Sequence, residues 1–344
     1  MEYRDPVYGK QDISEGVLRD LMASDALRRL DGVLQHGVTA LIGITAPFSR
    51  YEHSVGAMLL VRRLGGSLAE QIAALLHDVS HTAFSHVVDF VVGDHREQAY
   101  HEACKETVVR DSDIPAVLDR HGYDWRAFLD ETAFPLLEQP APALCADRLD
   151  YFLRDVEYMG LATPAAVEAV LDSLTVRNGR LALTDRELAR WLGYTFMEAD
   201  RASWSNPREV GLYELTAEAI RAALDGGEVT EADLWTTDRE LWNRLRSASR
   251  PEVRVSLERI SADTRFPHCP DGPELRVASK VRTLDPEVAV DGGVQPLSRL
   301  DPRFARDREA YRAAREGEWT LGVLPPPGRP AGPEKGFDRK ALFP

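Results

Sequence analysis

Residues 75–89 read LLHDVSHTAFSHVVD, placing His77, His81 and His86 within ten positions of a 344-residue chain that has nine histidines. Imidazoles this dense in an apolar frame need polar partners or an ion once the frame is buried. The spacing predicts a helix over 70–81, with Ile72, Leu75, Leu76 and Val79 as its buried stripe and His77 and His81, four apart, on one face. Asp78 adjoins His77, so both side chains can reach one ion where the helix end faces a cavity. The rest of the chain must then supply further ligands.

Two other segments offer them. In FSRYEHSVGAMLLVRRL, His53 stands at the start of a helical pattern whose buried side is Val55, Met58 and Leu59. In PALCADRLDYFLRDVEYMGL, Asp147, Tyr151 and Asp155 are four apart on one face, with Arg154 beside them and Leu144, Leu149, Phe152 and Val156 packing elsewhere. His53, His77, Asp78 and Asp147 together offer two imidazoles and two carboxylates. That mixture suits one divalent Mn²⁺, Fe²⁺, Co²⁺, Zn²⁺ or Ni²⁺, and Mg²⁺ less comfortably, while leaving a second metal open. Four protein ligands leave an octahedral ion positions for water and a phosphate oxygen, the requirement for metal-assisted hydrolysis.

Composition narrows the partners. A net charge of −14 argues against coating nucleic acid or an anionic membrane, which needs an excess of Lys and Arg. Cys104, Cys145 and Cys269 are odd in number and far apart, so neither a disulfide framework nor a zinc ribbon is expected. The chain starts without a charged leader before an apolar run, and no later stretch approaches 18 uncharged apolar residues, so a cytoplasmic protein is expected. A mainly α fold follows from helical periodicity between Gly16 and about Leu174, broken at Gly32, Pro47, Gly65, Gly66, Gly93, Pro115 and Pro140–Pro142. Asn178-Gly179 marks a β-hairpin within TVRNGRLALT, after which helical pattern resumes. After Pro251, EVRVSLERI and LRVASKVRTLDPEVAV read as short β segments of a small C-terminal lobe. The expected division is a helical domain over 1–245 with core motifs at 35–155, a small α/β lobe over 246–324, and a Pro/Gly-rich tail over 325–344.

RxxH (Arg50, His53), HD (His77, Asp78) and a distal Asp147, with RYEHSVG, YHE and DRLDYFLRD around them, resemble the HD-domain metal-dependent phosphohydrolase superfamily. The likeness, strongest over about residues 5–160, is to the branch of dNTP triphosphohydrolases related to the sterile-alpha-motif and HD-domain enzyme; KVRTLDPEV is similar to a C-terminal segment of bacterial members. The resemblance implies an HD-domain helical fold, His53, His77, Asp78 and Asp147 as metal ligands, and His81, Asp89, His101 and Glu102 as the acid-base cluster, with His101 and Glu102 as its proton relay. It implies phosphate contacts from Arg50, His86 and Arg148, sugar contacts from Gln35, Tyr151 and Asp155, and His36 beside the base. It also points to a nucleotide substrate and to a homo-oligomer.

Those residues have plainer readings. Asp89 could cap a helix, Arg50 could pair with Glu52 or Asp147, and His36, His95 and His121 read as surface or turn residues by pattern alone. Trp191 to Trp204 reads as core, with Trp204 able to edge a pocket. The expected activity is hydrolysis of a (d)NTP to nucleoside and tripolyphosphate. A nucleoside 5′-monophosphate phosphatase is the alternative, because FMEADRASWSNPREVGLYE carries only Arg201 and Arg208 where triphosphohydrolases carry several cations. A di-iron oxygenase drafting His81 and His101, or a silent module stapled by its metal, completes the range.

Overall fold

Ser49 starts the helix on which the fold is centred. Its hydroxyl accepts from the Glu52 amide while the Glu52 carboxylate accepts from the Ser49 amide, a capping box that makes Arg50 the first residue of Arg50–Arg63. The helix is buried at Arg50, Tyr51 and every position from His53 to Val61, so neighbours cover it on all sides. Gly65, in the left-handed region at φ 77°, turns the chain into Leu68–Leu76, capped by Ser67. Ala146–Tyr158 packs across Arg50–Arg63 with Leu149, Phe152, Leu153 and Val156 buried. The computed structural model describes residues 1–93, 98–278 and 280–324, so the tail 325–344 and His95 lie outside the described residues.

The fold is mainly helical with small sheets, as the pattern predicts, but three segments differ. The helix expected over 70–81 ends at Leu76. There the His77 imidazole turns back to the Ala74 carbonyl (2.7 Å), and Arg29 Nη2 donates to the carbonyls of Val79 (2.9 Å) and His81 (2.8 Å). His77 and His81 therefore do not share a helix face. EVRVSLERI, expected as β, is the helix Pro251–Arg259: Pro251 and Glu252 suit a first turn, and Val253 packs inward while Val255 is exposed. The alternating valines imitate a strand period. A two-stranded hairpin, Glu2–Asp5 with Gly9–Asp12, precedes the helices.

Asn178 and Gly179, both at positive φ, turn Leu174–Arg177 into Arg180–Leu183 as expected. Arg180–Leu183 also pairs in parallel with Glu287–Val290, which pairs with Gly293–Pro296, so one four-stranded sheet joins segments from both sides of residue 246. Leu275–Ala278 pairs with Glu318–Leu321 separately. One apolar core surrounds Arg50–Arg63 and includes Leu76 and Val79; a second surrounds Pro207–Asp225 and includes Ala83, Phe84 and Val87. Residues 77–86 pass from one to the other, which strings their polar side chains along the seam. No helix among the described residues is long and apolar enough to cross a membrane.

Where Arg50–Arg63 meets Ala146–Tyr158, a Cβ on Gly56 would overlap Arg154 Nη2 and Asp150 Oδ1. Gly56→Ala is expected to lower the unfolding free energy by about 1–3 kcal/mol. Equal urea midpoints for variant and parent would show that these helices can part without cost.

Candidate metal centre and catalytic cavity

His53 Nε2, His77 Nε2 and an Asp147 carboxylate oxygen converge from the three central helices. His53 Nε2 lies 3.0 Å from Asp147 Oδ1 and 3.2 Å from His77 Nε2, and His77 Nε2 lies 3.6 Å from Asp147 Oδ1. Metal–ligand bonds of about 2.1 Å set neighbouring donors about 3.0 Å apart in an octahedron and about 3.4 Å apart in a tetrahedron, so the spacing fits a divalent ion. Asp78 stands at the edge of this set, its oxygens 3.6 Å from His77 Nε2 and 3.8 Å from His53 Nε2. It also accepts from Arg50 Nη1 (2.6 Å) and lies 3.2 Å from His81 Nε2.

The far nitrogens of the two imidazoles are fixed. His53 Nδ1 meets Asp150 Oδ2 at 2.7 Å, and His77 Nδ1 meets the Ala74 carbonyl at 2.7 Å, which leaves both Nε2 atoms for the ion. Asp150 was not among the residues singled out by the sequence. It also accepts from Arg154 Nε (2.8 Å) and from Tyr8 Oη (2.8 Å), and Arg154 Nη2 reaches Asp5 (2.8 Å). Its position three residues after Asp147 and four before Arg154 was the available signal. Burial alone would push the Asp150 carboxyl up, but Arg154 and His53 outweigh it and hold it below its ordinary range.

A second group of imidazoles lies beside the first. His81 stacks on His101 at 4.0 Å between ring centres, His86 stands edge-on to His81 at 5.0 Å, and the three offer nitrogens close enough to hold a cation. His86 Nδ1 meets Asp89 Oδ2 at 3.1 Å, while Asp89 Oδ1 accepts from the Tyr100 amide (3.1 Å) and so caps Tyr100–Arg110 as well. Phe84 and Ser85 at φ 60° and 54° make the strained turn that brings His86 here. Gly37 lets the chain pass the Phe84 carbonyl, which a Cβ would strike. Ser85 Oγ then accepts from Arg50 Nε (2.8 Å), so Arg50 pairs with Asp78 and Ser85, not with Glu52 or Asp147.

The two groups have opposite proton affinities. Burial would lower His77, but Asp78 and Asp147 raise it to about 10; His53 is raised likewise by Asp147 and Asp150. Burial and the Arg50 charge hold His81 and His86 well below the ordinary value, and burial with His86 takes His101 down to about 3. The expected His101–Glu102 relay is not formed. Adjacent helix positions project about 100° apart; Glu102 is exposed, and His101 Nδ1 is buried without a hydrogen-bond partner among the described residues.

Both groups open on one cavity of about 660 Å³. Tyr151, Phe196, Trp204 and Tyr213 form its aromatic end, and Gln35 lines it with Oε1 buried and unpartnered among the described residues. Along Ala146–Tyr158, Asp147 and Asp155 are about 12 Å apart at 1.5 Å per residue, so one helix face runs from metal end to aromatic end. His36 is 5 % exposed, which corrects its reading as a surface or turn residue; it meets Asp155 Oδ1 at 2.7 Å. His121 is at the surface, beside Asp20 at 2.8 Å. Arg148 lines the cavity but is held by Glu138 (2.6 Å) and the Ala143 carbonyl (3.0 Å). Lys280, Arg282, Arg308 and Arg312 also line it, none of them among the site residues drawn from the sequence. Arg201 pairs with Glu198, and Arg208 Nη2 donates to the Ala262 carbonyl (2.6 Å).

At pH 7 the His77 imidazole, raised to about 10, holds a proton that a metal must displace. Metal uptake is expected to release about one proton or more and to tighten as pH rises from 6 to 8, measured by calorimetry in buffers of different ionisation heat; uptake without proton release would contradict the assignment. Asp150→Asn is expected to weaken metal binding about 10- to 100-fold, read by competition with a chromogenic chelator.

The comparisons with known proteins agree with this geometry. Residues 50–155 match the HD domain model. The chain is 41% identical over 321 residues, covering 91% of it and 92% of the relative, to the metal-dependent phosphohydrolase cns2 of Cordyceps militaris. It is 23% identical over 224 residues, 54% of this chain and 41% of the relative, to the deoxynucleoside triphosphate triphosphohydrolase SAMHD1 homolog of Dictyostelium discoideum. Its fold is shared with the crystal structure of a phosphohydrolase from Bacteroides thetaiotaomicron, at a TM-score of 0.65 and 18% identity over 93% of this chain and 99% of that one. With the histidine–aspartate centre in place and the likeness running the length of the chain, this protein belongs to the HD-domain metal-dependent phosphohydrolases.

Proposed function

We propose that this phosphohydrolase acts on a nucleotide, hydrolysing a (d)NTP to nucleoside and tripolyphosphate. The observation that carries this reading is the placing of unsatisfied donors between a metal-binding set and a cationic wall. Arg50 Nη2 and His101 Nδ1 are buried beside the cavity without protein partners among the described residues, and a phosphate oxygen would satisfy each. Lys280, Arg282, Arg308 and Arg312 supply, from the C-terminal segments, the cations that the region around Arg201 and Arg208 lacks. The volume lies within the range of small-molecule sites, and the aromatic end suits a sugar and base.

In this reading His53, His77, Asp78 and Asp147 hold one divalent metal, which when bound would supply Lewis-acid activation of water and of the phosphoryl group. The protein's own groups do the rest. Arg50 holds Asp78 with one nitrogen and offers the other to a nonbridging oxygen. His86 and Arg148 face the phosphate, while Gln35, His36 and Tyr151 line the nucleoside end. His81 and His101 are neutral before substrate arrives, because burial and Arg50 disfavour their charged forms. An incoming phosphate places negative charge beside them and raises their proton affinity, so either can take the proton that water loses on bonding to the α-phosphorus and pass it to the 5′-alkoxide as the P–O5′ bond breaks. Asp89 keeps His86 oriented. A cytoplasmic homo-oligomer belongs to the same reading and is checked by the mass of the native particle.

Monophosphate hydrolysis is the second reading, favoured by the prior engagement of the cations: Arg148 with Glu138, Arg282 with Gln98 (2.5 Å), and Arg312 with Glu316 (2.7 Å). The test is a matrix of Mn²⁺, Fe²⁺, Co²⁺, Zn²⁺, Ni²⁺ and Mg²⁺ against nucleoside mono-, di- and triphosphates. Tripolyphosphate release that vanishes in Asp78→Ala and falls about 10²- to 10³-fold in kcat in Arg50→Ala is the expected result. Orthophosphate from a monophosphate supports the second reading, and silence under every metal overturns both.

A further inference from the structure

Asp238 is 1 % exposed and does not line the cavity. Its carboxylate nevertheless grips two segments that lead into it, accepting at Oδ1 from the Phe84 amide (2.7 Å) and at Oδ2 from the Leu34 amide (2.9 Å). Phe84 and Ser85 form the left-handed turn ahead of His86, so Oδ1 holds that turn at its first residue. Leu34 stands beside Gln35, and its carbonyl accepts from Ser85 Oγ (2.6 Å), which itself accepts from Arg50 Nε (2.8 Å). Both oxygens therefore converge on the Ser85 hydroxyl, one through the turn that carries it and one through the carbonyl that orients it. Both partners of Asp238 are N–H groups, so two acceptors are needed; an amide side chain would set a donor against a donor. Burial pushes the Asp238 carboxyl up to about 7, against the two amides and the Arg50 and Arg29 charges, which favour its ionised form. Its position is set from outside the cavity as well. Thr237 and Glu240 make the capping box that starts Asp238–Ser247, and Gly32 leaves the room that Thr237 occupies, since a Cβ there would lie 2.5 Å from Thr237 Cγ2.

We infer that Asp238 is a positioning residue for anion binding: through the Phe84 and Leu34 amides it fixes the Ser85 hydroxyl, and through that hydroxyl it aims the Arg50 guanidinium at a phosphate oxygen. The inference rests on the proposed function for Arg50 facing a phosphate and is independent of the nucleoside. Arg50 needs such a guide, because Nη1 is drawn to Asp78 (2.6 Å) while Nη2 is buried without a protein partner among the described residues. A guanidinium is planar, so holding Nε and Nη1 sets the direction of Nη2. With the Ser85 acceptor displaced, the plane can turn about its bond to Asp78, and Nη2 swings away from the anion. The metal donors are guided separately, His53 by Asp150 and His77 by the Ala74 carbonyl.

The experiment is calorimetric binding of inorganic orthophosphate at pH 8, where Asp238 is mostly ionised, to protein loaded with the tightest-binding metal of the six. The samples are the parent, Arg50→Ala, and Asp238→Asn and Gly32→Ala each with and without Arg50→Ala. Thermal midpoints control for folding, and chelator competition reads metal affinity. Arg50→Ala is expected to weaken orthophosphate about tenfold. A parent that binds no orthophosphate at millimolar concentration, or binds it equally well without Arg50, overturns the reading of Arg50 and the inference with it. Asp238→Asn is expected to weaken orthophosphate about fivefold or more, to leave metal affinity within about twofold, and to cost about twofold or less once Arg50 is gone. Gly32→Ala keeps every polar group and shifts Asp238 through Thr237; the same pattern is expected of it, and it decides the matter if Asp238→Asn does not fold. Where Arg50 matters, the inference alone is overturned if the folded variant binds orthophosphate as the parent does. It is equally overturned if the variant loses as much without Arg50 as with it, or loses metal affinity to the same extent.

Discussion

Asp150 holds His53 and Arg154 together where water does not reach, and the geometry of the metal end depends on that arrangement. Asp150 is 0 % exposed, and its partners come from three parts of the chain: Tyr8 near the N-terminus, the helix at His53, and its own helix at Arg154, whose guanidinium Asp5 also holds. Burying such charges is expensive, and removing one member of a paired set typically costs about 3–5 kcal/mol because the others are left uncompensated. The network therefore contributes less to net stability than to position. With Asp150 on Nδ1, the His53 ring can neither flip nor slide, and Nε2 is aimed at His77 and Asp147. Gly56 belongs to the same requirement, since the network occupies the volume of its missing Cβ.

Five imidazoles at or beside the metal end of this cavity divide into two chemical kinds through their neighbours alone. His53 and His77 face Asp147, Asp150 and Asp78, while His81, buried, and His86 and His101, partly buried, lie near the Arg50 guanidinium and one another. The first pair has a strong affinity for positive charge, whether proton or metal. The second group, neutral and lone-pair bearing, can gain a proton only when anionic charge arrives. Arg50 links the two by binding Asp78 on one side and setting the field of the histidines on the other. Environments that push proton affinities apart within one cavity fit the proposed division of a single residue type between ligand and acid-base group.

Of the candidate metal donors, Asp147 stands on a helix with a clear apolar face, while His53 lies in a helix covered on all sides and His77 and Asp78 follow the end of Leu68–Leu76. Asp147, Tyr151 and Asp155 fell on one face of Ala146–Tyr158, as spacing alone required. His77 and His81 were misjudged together because the helix is ended by groups remote in sequence: Arg29 takes two carbonyls just beyond it, and no pattern near residue 77 signals that. Asp150 was missed although its spacing was visible, since the choice between solvent-facing and buried depends on Tyr8 and Asp5. Lys280, Arg282, Arg308 and Arg312 carried no signal of their place in the cavity wall: the first two lie between the strands Leu275–Ala278 and Glu287–Val290, and the others on a helix rich in arginine. The β reading of 252–260 failed because alternating valines fit a strand and a half-exposed helix equally over so short a run.

The two ends of the cavity are anchored differently. His53, His77 and Asp147 rest on helices from the first 160 residues, tied together by the Asp150 network and the core around Arg50–Arg63. The opposite wall is made from Trp204, Tyr213, residues 280–283 and the helix Pro302–Arg315, and that helix is tied to the turn carrying Trp204 through Tyr311 on Asp200 and Arg315 on Ser205. Bonds between the halves include Trp204 to Asp155, Tyr213 to the His36 carbonyl and Arg282 to Gln98. A substitution in the far wall can therefore change the shape offered to a ligand while leaving the spacing of the metal donors intact, since the groups that set that spacing lie on the near side of those bonds.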